Sequence, residues 1–263
     1  MTLEPVQYVL AALSGGMVAF SLGLVGGGGS ILAVPLMIYL VGVTNPHVAI
    51  GTSALSVAAS AATALVSHAR AGNVKWRCAL MFAASGVVGA FGGSTLGKAI
   101  DGQKMLALFA IVMVIVGAMM LRGRGDVGNP GAACNRQNAP KVLGFGLGSG
   151  AFSGFFGIGG GFLIVPGLML ATGMPIAYAI GTSLVAVAVF GATTASNYAL
   201  SGLVDWRIAG LFVAGGVVGG IAGTFTGKKL GSAKGTLSMI FAIFVILIGI
   251  YVTWKGLAPL LSA

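Results

Sequence analysis

The chain has 263 residues, of which 57% are hydrophobic and 7% are charged, and its mean hydropathy is +1.03. A soluble domain usually carries about 25% charged residues, because its surface must face water. The composition therefore excludes a soluble enzyme, and so apolar a chain is neither fibrous nor disordered. We predict an integral membrane protein that has the lipid bilayer as its surroundings.

The net charge of +10 would suggest a nucleic-acid partner in a soluble protein. Here the basic residues lie in short gaps between apolar runs, which is typical of markers of the cytoplasmic side, so no nucleic acid is expected. The first residues, MTLEPVQYVL, have no basic region before the apolar run, so this run is expected to remain as a membrane segment. We predict a multi-pass protein of the cell inner membrane.

Ten apolar runs follow one another along the chain. A helix needs about 20 apolar residues to cross a hydrocarbon core that is about 30 Å thick. Two of the runs are shorter than this, and each of the two follows a glycine cluster. The pattern predicts an all-α polytopic membrane protein with eight to ten membrane segments and glycine-rich broken helices. The runs lie near 7–25, 30–43, 47–67, 76–97, 104–121, 142–157, 160–173, 176–200, 206–227 and 235–256.

The two halves of the chain are copies of each other. GLVGGGGSILAVP at 23–35 aligns with GFFGIGGGFLIVP at 154–166, and AIGTS occurs at both 49–53 and 179–183. Residues 72–98 and 202–228 are identical at 14 of 27 positions. We predict a first membrane repeat over 1–121, a basic and cytoplasmic linker over 122–141, and a second membrane repeat over 142–263.

The orientation of the repeats has two solutions. If all ten segments cross the membrane, the repeats are inverted and the basic residues divide 10 to 4 between the two sides. If the short segments are re-entrant, the repeats are parallel and the better division is 9 to 5. The positive-inside rule favours the inverted arrangement.

The glycine clusters are the first candidate site. Such clusters end one helix and open the next, and non-helical backbone at membrane depth is tolerated only inside protein or beside water. The N-terminus of the following helix suits an anion, and matching broken helices in two repeats indicate a transporter's binding site. The alternative is a pair of tight buried turns. The predicted substrate-binding residues here are Gly27, Gly28, Gly29, Ser30, Gly159, Gly160 and Gly161.

The AIGTS motifs supply the second candidate set, Thr52 and Ser53 with Thr182 and Ser183. Their hydroxyl groups could donate hydrogen bonds to an oxyanion from both repeats. Alternatively they cap the helices that start after Pro46 and Pro175.

Two further repeated patterns have mainly structural interpretations. Glycines four residues apart, at 89, 93 and 97 and again at 219, 223 and 227, predict close helix packing, within one chain or in a homo-oligomer. The Trp-Arg pairs at 76–77 and 206–207 are typical of interfacial anchors. The alternative is an anion vestibule formed by Arg77 and Arg207, with Asn197 as polar lining.

The remaining reactive side chains exclude several chemistries. All four carboxylates lie in termini or connections, so the membrane segments offer donors and helix dipoles, which suit an anionic or neutral substrate. Cys78 and Cys134 have no framework spacing, so neither a disulfide nor a metal site is expected. No HExxH, GxSxG or carboxylate pair lies in an apolar run, so we predict no enzyme and no cofactor.

The duplicated glycine motifs, the AIGTS pairs and the Trp-Arg pairs together resemble the TauE/SafE family of membrane permeases. The resemblance runs from about residue 10 to residue 255. It implies transport of sulfite, sulfoacetate or another organosulfonate, with the glycine loops and AIGTS hydroxyls as substrate contacts. With the cell interior negative, an anion gains about 2.3 kcal/mol per charge and 100 mV on leaving, which favours export. A proton- or sodium-coupled importer and a non-transporting assembly factor are the alternatives.

Overall fold

The protein is described by a computed structural model over residues 5–25, 27–122, 128–129, 131–159, 161–229, 239, 243 and 245–254. Within these ranges the regular structure is helical and contains no strand, which confirms the all-α prediction. The first half contains α1 (Pro5–Val25), a 3₁₀ helix (Gly27–Leu32), α2 (Ala33–Pro35), a π-helix (Leu36–Leu40), α3 (Pro46–Arg70), α4 (Trp76–Ala99) and α5 (Gly102–Arg122). The second half contains α6 (Ala139–Phe156), α7 (Gly161–Thr172), α8 (Ile176–Ala199), α9 (Trp206–Lys229) and α10 (Val245–Trp254).

The helix lengths fit a polytopic membrane protein. In the described part of the chain, six helices are long and apolar enough to cross a bilayer, namely α1, α3, α4, α5, α8 and α9. Three shorter apolar helices lie at Gly29–Leu40, Leu163–Thr172 and Val245–Trp254. The first two of these are the segments that the sequence predicts to be broken by glycine.

Polar side chains in the connections set where several helices begin. Asn45 accepts a hydrogen bond from the His47 amide at 2.9 Å and caps α3. Asp101 accepts from the Gln103 amide at the start of α5, and Asp205 accepts from the Arg207 amide at the start of α9. Both carboxylates in the described residues are therefore used as helix caps.

The glycine-rich helices pack on the first helix of the opposite half. A Cβ on Gly89, Gly93 or Gly97 of α4 would meet the backbone of α6, at Leu147, Ala151 and Phe155 in turn. The residue numbers of the contacting pairs rise in the same direction along both helices, so α4 and α6 run parallel. In the same way, a Cβ on the glycine at 215, 219 or 223 of α9 would meet the backbone of residue 12, 16 or 20 of α1, respectively. The close packing predicted at positions 89, 93, 97, 219 and 223 is confirmed, and it joins helices of different repeats; the surroundings of position 227 lie outside the described structure.

The equivalent helices α3 and α8 meet in the middle of the bundle. Gly51 near the start of α3 lies against Tyr198 near the end of α8, and Gly191 of α8 lies against Ala54 and Ala58 further along α3. The order along one helix is reversed along the other, so α3 and α8 run antiparallel. We call the end of the bundle where α4 begins the linker face, and the end where α4 and α8 finish the Lys98 face.

The expectation that the two cysteines are unlinked is wrong. Cys78 in the first turn of α4 is bonded to Cys134 in the connection before α6, with Cα atoms 5.3 Å apart. Asn129 of the same connection donates its amide to Gly173 O at 2.8 Å. The 56-residue separation gave no framework spacing, because the pairing depends on the connection folding back onto α4. The disulfide fixes this connection at the linker face.

Candidate functional site

The second glycine loop lies against the two central helices. Gly157 and Gly159 have φ of +68° and +67°, which L side chains rarely adopt. A Cβ on Gly157 would meet the Ile50 side chain of α3, and one on Gly159 would lie 2.7 Å from Val57 Cγ1 and 3.0 Å from Val187 Cγ1. The sequence therefore needs glycine here because the backbone itself packs on α3 and α8. Gly160 lies outside the described residues.

The first glycine loop opens a segment of mixed helix type. Gly27, Gly28, Gly29 and Ser30 belong to the 3₁₀ helix, which passes into α2 and then into the π-helix. A Cβ on Gly29 would meet the backbone of Leu22 in α1, and Ser30 is buried. This 3₁₀ helix contacts α7, which begins at Gly161, so the structure brings the two broken segments together.

The AIGTS motifs join each half to the other. Thr52 Oγ1 of α3 accepts a hydrogen bond from the Asp205 amide at 3.0 Å, just before α9. Thr182 Oγ1 of α8 accepts one from the Lys75 amide, also at 3.0 Å, just before α4. Each threonine thus holds the connection that starts the glycine-rich helix of the opposite repeat. We call each hydrogen bond a threonine clasp.

The glycine of each AIGTS motif allows the connection held by the neighbouring threonine to pack closely against the helix. A Cβ on Gly51 would collide with Leu203 O and would lie 2.8 Å from Tyr198 Cβ. A Cβ on Gly181 would collide with Asn73 O. The motif is predictable from the sequence, but this contact is not, because a repeat does not reveal which copy each motif binds.

The serine and threonine hydroxyls of the motifs differ in what they can still donate. Ser53 donates to Ile50 O at 3.0 Å, and Ser183 donates to Ile180 O at 2.8 Å. The hydroxyl protons of Thr52 and Thr182 have no acceptor among the described residues, and both side chains are fully buried. The threonines therefore retain a donor, whereas the serine protons are bonded to their own helices.

The three predicted vestibule residues lie at two ends of the bundle. Arg77 is exposed at the start of α4, on the linker face. Arg207 is exposed at the start of α9, on the Lys98 face, and Asn197 lies in the last turn of α8, at the same face. Arg77 therefore does not share a vestibule with the other two.

Lys98 is not among the predicted site residues, yet it organises the polar residues at the ends of α4 and α8. Its Nζ donates to Asn197 O at 3.0 Å, Asn197 Oδ1 at 2.8 Å and Ser201 Oγ at 2.8 Å. Asn197 Nδ2 donates in turn to Ser94 Oγ at 2.6 Å and Thr95 Oγ1 at 3.0 Å. A lysine in the last turn of one helix and a polar residue in the last turn of another are the signal that could have revealed this network.

The two halves differ in polarity at the equivalent positions Ser60 and Phe190. Phe190 is buried, and its ring fills the space left by the missing side chain of Gly86. The ring also stacks on Phe82, with ring centroids 6.2 Å apart. Ser60 lies at the matching glycine, with Oγ 2.7 Å from where a Cβ on Gly216 would be, and this oxygen has no partner in the described structure. The centre of the bundle is therefore not two-fold symmetric in its chemistry.

Comparison with known proteins agrees with the fold and the repeated motifs. The family model described as Sulfite exporter TauE/SafE matches residues 11–252. A probable membrane transporter protein of Xylella fastidiosa (strain 9a5c) is 51% identical over 257 residues, covering 95% of this chain and 96% of the relative. The probable membrane transporter protein YunE of Bacillus subtilis is 28% identical over 266 residues, covering 92% and 96%. No solved structure matches.

The matched region begins within α1, contains α2 to α9 and most of α10, and so includes both glycine loops and both AIGTS motifs. Relatives that cover nearly the whole chain carry names of membrane transporters and not of enzymes. The chain therefore belongs to the sulfite exporter TauE/SafE family of membrane transporters.

Proposed function

We propose that this transporter exports a small sulfur oxyanion, such as sulfite, sulfoacetate or another organosulfonate, across the cell inner membrane. The observation that carries the proposal is the meeting of the two glycine-broken segments beside α3 and α8. The α7 helix has 12 residues, and its N-terminus offers partial positive charge and amide donors to an anion. The described carboxylates Asp101 and Asp205 lie in connections, where they accept hydrogen bonds from amides at helix starts.

The proposed contacts are the backbone of both glycine loops and the hydroxyls of the AIGTS motifs. The two motifs lie about 25 Å apart, near opposite faces of the bundle, so each would contact the anion at a different stage of its passage. Thr52 and Thr182 are the stronger hydroxyl candidates, because each has a proton left to donate. Ser53 and Ser183 would first have to leave the carbonyl groups of their own helices. The complete proposed set is Gly27, Gly28, Gly29, Ser30, Thr52, Ser53, Gly159, Gly160, Gly161, Thr182 and Ser183.

We further propose that the repeats are inverted and that access alternates between the two faces. The antiparallel packing of the equivalent helices α3 and α8 supports this arrangement, since a two-fold axis in the membrane plane reverses every helix. Each unit of negative charge gains about 2.3 kcal/mol per 100 mV on leaving a negative interior. An exporter of anions therefore needs no coupling ion.

The test is flux in proteoliposomes loaded with sulfite or sulfoacetate, first under an imposed potential and then under a proton gradient. We expect flux that follows the potential alone. Gly159→Ala should reduce flux per folded molecule at least tenfold, because Gly159 has positive φ and packs on Val57 and Val187. Gly148→Ala is the matched control, since nothing lies within 4 Å of its added Cβ.

Each other outcome selects an alternative. Flux that requires the proton gradient would replace the exporter with a coupled importer. Absence of flux for every sulfur oxyanion tested, from protein that is folded and inserted, would favour a non-transporting assembly factor. Equal flux from Gly159→Ala and Gly148→Ala would remove the glycine loop from the transport site.

A further inference from the structure

Three buried hydroxyl groups near the second glycine loop have no hydrogen-bond partner in the described structure. They belong to Ser153 of α6 and to Thr194 and Tyr198 of α8. Ser153 and Tyr198 are 0% exposed and Thr194 is 1% exposed. Buried polar atoms are nearly always bonded, because an unpaired one costs about 1–3 kcal/mol, so three such groups require an explanation.

All three lie on the side of the bundle where the second glycine loop forms. Ser153 is one turn before the loop, and its carbonyl accepts from the Gly157 amide at 2.8 Å. Thr194 precedes Tyr198 by one turn of α8, so their side chains share a face. Ser153 thus belongs to the helix that leads into the loop, and Thr194 belongs to a helix that contacts the loop through Val187.

Tyr198 connects this group to the AIGTS motif. Its Cβ packs on Gly51, next to Thr52. A Cβ added to Gly97 would lie 3.3 Å from the Tyr198 hydroxyl oxygen and 2.7 Å from Phe155 O. The Tyr198 hydroxyl oxygen and Phe155 O are therefore at most about 6 Å apart. The hydroxyl therefore reaches the end of α6, two residues before the glycine loop.

A positive charge lies close to these hydroxyls. Lys98 Nζ is 5.9 Å from the centroid of the Tyr198 ring. Its three protons are donated to Asn197 O, Asn197 Oδ1 and Ser201 Oγ, so it contributes charge and not a further hydrogen bond. Unpaired donors beside a fixed cation favour an anion.

We propose that Ser153, Thr194 and Tyr198 donate hydrogen bonds to a sulfonate or sulfite oxyanion bound beside the second glycine loop. The proposal rests on the proposed function and adds three binding residues to it. An oxyanion has several acceptor atoms and can satisfy all three hydroxyls together. A purely apolar substrate would leave them unpaired.

The test removes each hydroxyl with little change of shape, in Ser153→Ala, Thr194→Val and Tyr198→Phe. Ser14→Ala is the matched control, because Ser14 Oγ is also buried and unpartnered in the described structure but lies on α1. Two quantities are measured on each purified protein. They are the KM for sulfite flux in proteoliposomes and the concentration of sulfite or methanesulfonate that half-maximally stabilises the protein to heat.

We expect each site variant to raise both concentrations about three- to tenfold, with the thermal stability of the free protein unchanged or higher. Ser14→Ala should leave both concentrations unchanged. A fall in the stability of the free variant would show that the hydroxyl has a protein partner, and unchanged KM and half-stabilising concentrations would show that it does not touch the anion. Either result overturns the proposal.

The two readouts separate this inference from the proposed function. Wild-type protein that is stabilised by the oxyanions but carries no flux, with weaker stabilisation in the variants, would retain the binding site and refute transport of these anions. Flux from the wild type with unchanged variants would retain transport and refute the three hydroxyls. Wild-type protein with neither flux nor stabilisation would refute both.

Discussion

Loss of either threonine clasp is expected to lower the thermal stability of the protein, and the equivalent threonine in the other repeat provides a second test of the same effect. Thr52→Val and Thr182→Val each remove the acceptor for one amide, of Asp205 and of Lys75, at 3.0 Å in both cases. An unsatisfied backbone amide costs about 1–3 kcal/mol, and since these two contacts are only partly buried we expect about 1–2 kcal/mol for each variant. For a chain of this size each kcal/mol corresponds to about 2–4 °C, so the midpoint of thermal unfolding should fall by about 2–8 °C.

The two clasps should act independently. Gly51 contacts Tyr198, and Gly181 is 17 residues before Tyr198 on α8, which places the clasps about 25 Å apart at 1.5 Å per residue. Effects at such distances usually add, so the double variant should lose about 2–4 kcal/mol. Unequal single effects would mean that the halves are not held in the same way.

The assay is thermal unfolding of the purified protein in detergent, monitored by the loss of the monodisperse peak. Thr52→Ser and Thr182→Ser keep the acceptor oxygen and should lose only the contribution of one buried methyl group, about 1 kcal/mol. Thr63→Val controls for the loss of a helical hydroxyl, because within the described residues Thr63 donates to Ala59 O of its own helix. The clasp would be refuted if Thr52→Val and Thr182→Val were as stable as Thr63→Val.

Three further predictions concern packing and the disulfide. Gly93→Ala should destabilise the protein by about 1–3 kcal/mol, because the added Cβ would meet the backbone of α6. Gly92→Ala should stabilise the protein by up to about 1 kcal/mol, because nothing lies within 4 Å of its added Cβ. Thermal unfolding of the two variants checks both expectations. Phe190→Ala should lower the free energy of unfolding by about 3–5 kcal/mol, because it opens a cavity. Ser60→Ala should leave the free energy of unfolding unchanged or raise it, because the Ser60 hydroxyl has no partner in the described structure. Equal losses of thermal stability in the two variants would contradict the asymmetry between the halves. Cys78→Ser should cost at most about 4 kcal/mol, the chain-entropy value for a 56-residue loop, and should abolish any effect of dithiothreitol on the unfolding midpoint.

Long apolar segments were predictable from the sequence because lipid imposes their length. The runs at 76–97 and 176–200 became Trp76–Ala99 and Ile176–Ala199. The run at 104–121 began earlier, at Gly102, because Asp101 caps the helix. The repeat also located both glycine loops and both AIGTS motifs.

The sequence could not reveal which segments contact each other. The same GxxxG face would pack equally well on several small-residue helices, and only the fold selects α6 for α4 and α1 for α9. The clasps, the Lys98 network and the Cys78–Cys134 bond all join residues more than 50 positions apart. The predicted run at 30–43 was also more irregular than expected, with 3₁₀, α and π turns in succession.

The crosswise pairing of α1 with α9 affects how the protein is made. From residue 26 to residue 205, 180 residues must be synthesised before α9 begins. At about 5–20 residues per second, this takes about 9–36 s. During that interval the glycine-lined face of α1 has entered the membrane without the helix it will pack on, so lipid or the insertion machinery must cover it. The N-terminal half is thus inserted first but completed last.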